Sequence, residues 1–92
     1  MAPEILASEP YNEKVDVYSY GIVLWELLTR KCPYEDLSAF QCAIAVVNED
    51  RRPEIPPWCP PAFESLIRNC IQRNPDDRPS FAKVLRALEG MP

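Results

Sequence analysis

The sequence predicts an all-α chain with about four main helices, over residues 14–29, 39–48, 61–73 and 81–89. Three observations point to this class. Apolar residues recur at helical spacing in each of those stretches, and no segment sustains the strict alternation of a half-buried strand. The eleven prolines fall mostly between the periodic stretches, where they punctuate helices without breaking them. Ninety-two residues make one small domain at most. A chain of that size buries only about two thirds of its unfolded surface.

The first stretch, Lys14 to Thr29, is apolar nearly all round, with Val15, Val17, Tyr18, Tyr20, Ile22, Val23, Leu24, Trp25, Leu27 and Leu28. A helix with no polar face is a buried helix. It needs packing partners around its whole circumference, and the rest of the chain supplies few, which predicts an incomplete domain. Gly21 in its middle costs about 1 kcal/mol against alanine unless a neighbour needs close approach there. In the second stretch Ser38 is a good N-cap, Gln41 holds the capping-box position and Leu37 is placed to staple onto Cys42. Phe40, Ala43, Ile44 and Val47 form its expected inward stripe, and it should end near Asn48. The third begins at Pro60-Pro61, where proline is tolerated in a first turn, with a stripe of Phe63, Leu66, Ile67, Cys70 and Ile71. The turn from Arg73 to Asp77 stops it. The fourth is capped by Ser80, striped by Phe81, Val84, Leu85 and Leu88, and terminated by Gly90. The proline cluster from Pro53 to Pro61 reads as an extended connector; a ligand for an SH3-type domain is the competing reading.

Composition excludes several classes. Net charge is −4 with the signs interspersed and no Lys/Arg run longer than two, which speaks against nucleic acid and a polybasic membrane surface. No stretch approaches the ~20 apolar residues of a membrane span, and no secretory signal is visible. The four cysteines (Cys32, Cys42, Cys59 and Cys70) are separated by nine, sixteen and ten residues, with no CxxC pair and no histidine. Zinc takes closely spaced Cys/His pairs, so a zinc site is not expected. Reduced thiols are preferred over two disulfides, with Cys42 and Cys70 as small hydrophobes on apolar helix faces.

Four motifs then carry a resemblance. Met1-Ala2-Pro3-Glu4 resembles the A-P-E motif that closes the activation segment of protein kinases. Twelve residues after Glu4 comes Asp16-Val17-Tyr18-Ser19-Tyr20-Gly21, similar to the start of that family's central helix. Pro33-Tyr34 matches its proline-aromatic turn, and Asp77-Arg78-Pro79-Ser80 its D-R-P-[ST] turn. Three letters alone are weak, but the order and spacing cover almost the whole chain. Residues 1–92 are therefore expected to be a partial protein kinase domain, the helical C-terminal part of the large lobe. Gly21 to Tyr34 is most similar to the tyrosine-kinase-like group, which mostly phosphorylates serine and threonine.

The resemblance implies roles for particular residues. Glu4 and Arg78 are expected to form a buried ion pair clamping the activation segment to the helical lobe. Asp16 is expected to accept hydrogen bonds from the catalytic-loop backbone; an N-terminal helix carboxylate is its plainer reading. Val23 and Leu27 match positions that stack apolar side chains beneath the adenine region, and simple core packing nearly coincides with that. Glu26 has two readings, a contact with a basic residue of the substrate peptide or a carboxylate with a local partner, and the second is preferred. Arg51-Arg52 is expected to be a solvated turn.

Phosphoryl transfer needs a phosphate cradle, a charge-neutralising lysine, metal-binding Asp and Asn, and a base. With no histidine and only Gly21 and Gly90, neither an H-R-D loop nor a Gly-rich loop can be written. In the family these motifs precede A-P-E. The chain is thus expected to be a kinase fragment, inactive alone, with no catalytic, cofactor or metal residues of its own. ATP and Mg belong to the parent kinase, whose partner is a protein substrate. The helix beginning at Ser38 is a candidate docking surface for another protein; no nucleic acid and no membrane segment are expected in this chain. A cytoplasmic location is expected, either free or as the cytoplasmic domain of a membrane-bound parent. The alternative is a non-catalytic helical interaction module or a pseudokinase-derived product.

Overall fold

The computed structural model describes residues 1–91. Helix α1 (Pro3–Leu6) is followed by α2 (Lys14–Thr29), α3 (Ala39–Asn48), α4 (Pro61–Cys70), a 3-10 turn (Pro75–Asp77) and α5 (Phe81–Glu89). No strand occurs among the described residues, so the all-α class stands. The capping box of α3 is complete: the Ser38 hydroxyl accepts from the Gln41 N–H at 3.2 Å and Gln41 Oε1 accepts from the Ser38 N–H at 3.0 Å. Ser80 caps α5 through the Lys83 N–H at 3.2 Å. Proline stands at the start of both α1 and α4, where its missing N–H costs nothing. Helix α2 ends on Arg30, which takes left-handed backbone (φ 59°) and donates its N–H to Glu26 O.

The core lies between α2 and α4. Val17, Tyr18, Leu24 and Trp25 meet Leu66, Ile67, Cys70 and Ile71, and Val84 of α5 joins them. Gly21 makes this approach feasible: a Cβ there would stand 2.6 Å from Cys70 Cβ and 2.9 Å from Ile71 Cγ2. The close neighbour that would justify a mid-helix glycine is therefore α4. The proline-rich connector is held across α2 by Trp25, whose indole Nε1 donates to Glu54 O at 2.8 Å.

Helix α2 has an uncovered side, as its shortage of packing partners implies, and the core-packing reading of Val23 and Leu27 needs correction: they are 45% and 58% exposed. The backbone forms a slab with extents of 38 × 29 × 16 Å, and one side of α2 lies on its open face. Helix α3 turns Ala45 and Val46 inward and leaves Phe40 75% exposed, with Ile44 exposed beside it. The expected stripe was one face of a helix whose opposite side is equally apolar. Helix α4 stops at Cys70, three residues short of 73, and the carbonyls just beyond it are satisfied by arginines: Ile71 O accepts from Arg52 Nε, and Gln72 O and Arg73 O accept from Arg78. On α5 only Val84 is buried, with Phe81 and Leu85 exposed. Gly90 does end α5, but with right-handed backbone (φ −79°), so its left-handed freedom is not used. All four cysteines are free; Cys59 and Cys70 are buried, Cys42 is half-buried and Cys32 is exposed.

Candidate functional site

Arg78 is the largest side chain that is fully buried. A guanidinium has five N–H donors, and each needs an acceptor once water is excluded. All five have one. Nε donates to Gln72 O at 2.7 Å. One terminal nitrogen donates to a Glu4 carboxylate oxygen at 2.7 Å and to Lys14 O at 3.1 Å. The other donates to the second Glu4 oxygen at 2.9 Å and to Arg73 O at 3.2 Å. The Tyr18 ring lies 4.9 Å from the guanidinium carbon, a cation–π distance. The Lys14 ammonium closes the set by donating to Arg78 O at 2.7 Å.

The result is a two-pronged ion pair joining three elements. Glu4 comes from the first turn of α1, Lys14 from the start of α2, and Arg78 from the residue that ends the 3-10 turn. Burial by itself pushes the Glu4 carboxyl up. The hydrogen bonds and charge of Arg78, with a backbone N–H, outweigh it and hold the pKa below the ordinary 4.5.

Arg52 was expected in a solvated turn and is instead built into the fold. Its Nε donates to Ile71 O at 2.8 Å, a terminal nitrogen donates to Arg51 O at 2.8 Å, and the other pairs with Asp50 at 2.9 Å. Its guanidinium carbon is 5.4 Å from the Tyr18 ring, so Tyr18 serves two arginines. Arg51 does stay exposed, over the Tyr34 ring at 5.6 Å. Arg52, Lys14 and Tyr18 were missed as supports because their partners are backbone carbonyls and ring faces, which leave no pattern of residue types.

The remaining candidates sit on α2. Asp16, Val23 and Leu27 stand at i, i+7 and i+11 and so share one stripe of the helix. All three are exposed, and the Asp16 carboxylate makes no hydrogen bond or ion pair among the described residues. Glu26 is exposed to one side of that stripe, and no ion pair among the described residues includes it, so the local-partner reading has no support here. The structure thus brings Glu4 and Arg78 into contact and lines up Asp16, Val23 and Leu27 on an uncovered face. It does not bring the two groups together.

Among the described residues no group of three or more His, Cys, Asp or Glu is placed to hold a metal ion. With two glycines, neither at positive φ, there is no Gly-rich backbone to cradle phosphates. No described helix is long and apolar enough to cross a membrane.

A family model described as protein tyrosine and serine/threonine kinase matches residues 1–88. A probable serine/threonine-protein kinase of Dictyostelium discoideum, drkD, is 48% identical over 91 residues, 99% of this chain and 7% of its own length. The serine/threonine/tyrosine-protein kinase HT1 of Arabidopsis thaliana is 46% identical over 89 residues, 97% of this chain and 23% of its own length. Mitogen-activated protein kinase kinase kinase 12 of Rattus norvegicus is 43% identical over 89 residues, 97% of this chain and 10% of its own length. The chain spans less than a quarter of the length of these relatives.

Proposed function

Because the chain belongs to the protein tyrosine and serine/threonine kinase family, we propose that it is the substrate-side helical platform of an ATP-dependent protein kinase. The kinase phosphorylates serine and threonine in the manner of the tyrosine-kinase-like group, on a protein substrate, in the cytoplasm. The observation that carries this reading is the enclosed Glu4–Arg78 pair, which ties α1 to the start of α2 and to the turn before α5. In a kinase α1 closes the activation segment, so this pair fixes the segment's end. The Asp16, Val23 and Leu27 stripe is the seat for the catalytic loop and the floor of the adenine site. ATP and Mg are supplied by the rest of the kinase, and this chain alone transfers no phosphate.

A chimera tests the proposal: the ATP-binding portion of the Dictyostelium relative joined ahead of this chain. It should phosphorylate serine and threonine on a protein substrate, and Glu4→Gln should lower that rate at least tenfold. Undiminished transfer in Glu4→Gln would remove the platform role, and phosphotyrosine as the main product would remove the specificity. The chain alone should give no heat of ATP binding by calorimetry.

One observation favours a second reading, a non-catalytic module that docks another protein through α3. Phe40 and Ile44, one turn apart, are both exposed there. The coding sequence adjoining Met1 separates the two: in-frame H-R-D and D-F-G motifs support the kinase, and a stop codon there supports the module.

A further inference from the structure

A cleft of about 250 Å³ lies between the connector at residues 50–55 and the end of α4. Pro53, Ile55 and Ile71 give it an apolar part, and the rest of its lining carries three arginines against one carboxylate, Asp50. That is a local reversal of sign in a chain of net charge −4. The three arginines differ in what they leave free. Arg52 is fully engaged with Ile71 O, Arg51 O and Asp50. Arg73 reaches Asp50 only at 3.6 Å, beyond hydrogen-bond distance. Arg68 uses Nε on Glu64 at 3.0 Å, and its terminal nitrogens make no hydrogen bond among the described residues. The Gln72 amide adds a neutral donor at the same cleft. Beneath these side chains the carbonyls of Ile71, Gln72 and Arg73 are held by Arg52 and Arg78. The donors therefore project from backbone that needs no ordering when something binds.

We propose that this cleft docks a partner protein's segment bearing a phosphoserine or phosphothreonine, with the apolar side chain that follows it packed on Ile55 and Ile71. Charge and donor number select a phosphate over a carboxylate. A phosphomonoester brings a charge of about −1.5 to −2 and three acceptor oxygens. Arg68, Arg73 and Gln72 are three donor groups to meet them, and guanidinium forks suit phosphate geometry. A carboxylate would offer these arginines only what Asp50 and Glu64 already supply. Size and polarity exclude larger anions. The cleft is smaller than the roughly 300–1,000 Å³ of sites for drug-sized molecules, and its apolar part would gain nothing from a nucleic-acid backbone. All the lining residues lie between positions 50 and 73, away from both ends of the sequence. The site uses no residue of the Asp16, Val23 and Leu27 stripe and does not depend on the kinase reading.

Fluorescence polarisation tests this with a short fluorescein-labelled glycine–serine peptide carrying one phosphoserine followed by one leucine. It should bind the full chain, and the versions with serine or glutamate in place of phosphoserine should bind about tenfold or more weakly. Glycine in place of the leucine should weaken binding several-fold, the effect of losing one partly buried aliphatic side chain. Arg68→Gln and Arg73→Gln should each weaken binding several-fold with the melting temperature unchanged, since both side chains are exposed. Asp50→Asn should act in the opposite direction. It removes a like charge from the ligand's side and releases Arg73, while asparagine tolerates the left-handed backbone of that position (φ 54°). A gain in affinity there is something that a merely structural role for Asp50 does not produce. Several results would overturn the proposal. Equal binding of the glutamate peptide would mean that phosphate is not selected, and equal binding of the glycine version would mean a bare charged patch. Undiminished binding in Arg73→Gln would put the peptide elsewhere, and a single-stranded oligonucleotide that binds as well would make nucleic acid the occupant.

Discussion

A guanidinium has five donors and no acceptor, so burying one commits five oxygens at once. At Arg78 two of them belong to Glu4 and three to main-chain carbonyls of residues 14, 72 and 73. Breaking one side of such a pair leaves an uncompensated buried charge, typically about 3–5 kcal/mol. That is a large share of the ~5–15 kcal/mol of a natural domain. Glu4→Gln should therefore lower the urea midpoint sharply at pH 7. The pH dependence has a definite sign. The folded-state pKa of Glu4 lies below 4.5, so its contribution is complete above the ordinary carboxylate range and is lost as pH falls through the lower folded value. The gap between parent and Glu4→Gln should hold from pH 7 to about pH 5 and close below it. A gap that stays constant down to pH 3 would show that Glu4 is not the titrating partner. At this scale the ion pair was legible only through two short motifs at opposite ends of the chain. Arg52 was not legible, because an arginine bonded to carbonyls looks in sequence like its solvated neighbour Arg51.

Helix contacts turn on single atoms at Gly21. Alanine there gains about 1 kcal/mol of helix propensity. Its Cβ would also sit 2.6 Å from Cys70 Cβ, part of a rigid helix and not the end of a flexible side chain. Overpacking of that kind costs typically about 1–3 kcal/mol, so the clash should win. Gly21→Ala is expected to lower the melting temperature, although it is the better helix former; a rise would mean that α2 and α4 separate freely. The starts of α3 and α5 were legible because Ser38 and Ser80 cap through their own side chains. The end of α4 was misplaced because the turn from Arg73 to Asp77 marks where a helix must have stopped, not the Cys70 where it does, and the carbonyls beyond Cys70 are taken up by Arg52 and Arg78. The inward face of α3 was misjudged for a different reason. Helical spacing identifies a stripe, but with apolar residues on two sides it does not say which stripe meets the core.

Thickness is the property of the whole molecule that matters most. At 16 Å across its thinnest dimension it is a slab with α2 open on one side. Val23 and Leu27 on that face, and Leu85, Phe40 and Trp58 elsewhere, leave large apolar side chains in water. Scattered exposed apolar residues are ordinary, but a stripe on the central helix marks an interaction face. The chain should self-associate at micromolar concentration, and Leu27→Lys should reduce that association with the fold retained. Light scattering checks the first and near-ultraviolet circular dichroism the second. A parent chain that stays monomeric would show that the open face needs no cover. That open face was already legible in the all-round apolar pattern of residues 14–29, for which the rest of the chain offers few packing partners.

The Glu4–Arg78 pair also has a kinetic consequence. It links residues 74 positions apart. Closing a loop of that length costs ~4 kcal/mol of chain entropy, comparable to what the contact returns. The pair therefore forms after α2 and α4 have docked and is absent from the folding transition state, where local contacts dominate. Its loss should leave the refolding rate almost unchanged and accelerate unfolding by roughly the full equilibrium effect. In stopped-flow chevrons the unfolding arm of Glu4→Gln should rise while its folding arm overlays the parent's. The ion pair is then a latch that sets how long the folded state lasts, with little say in how quickly it is reached.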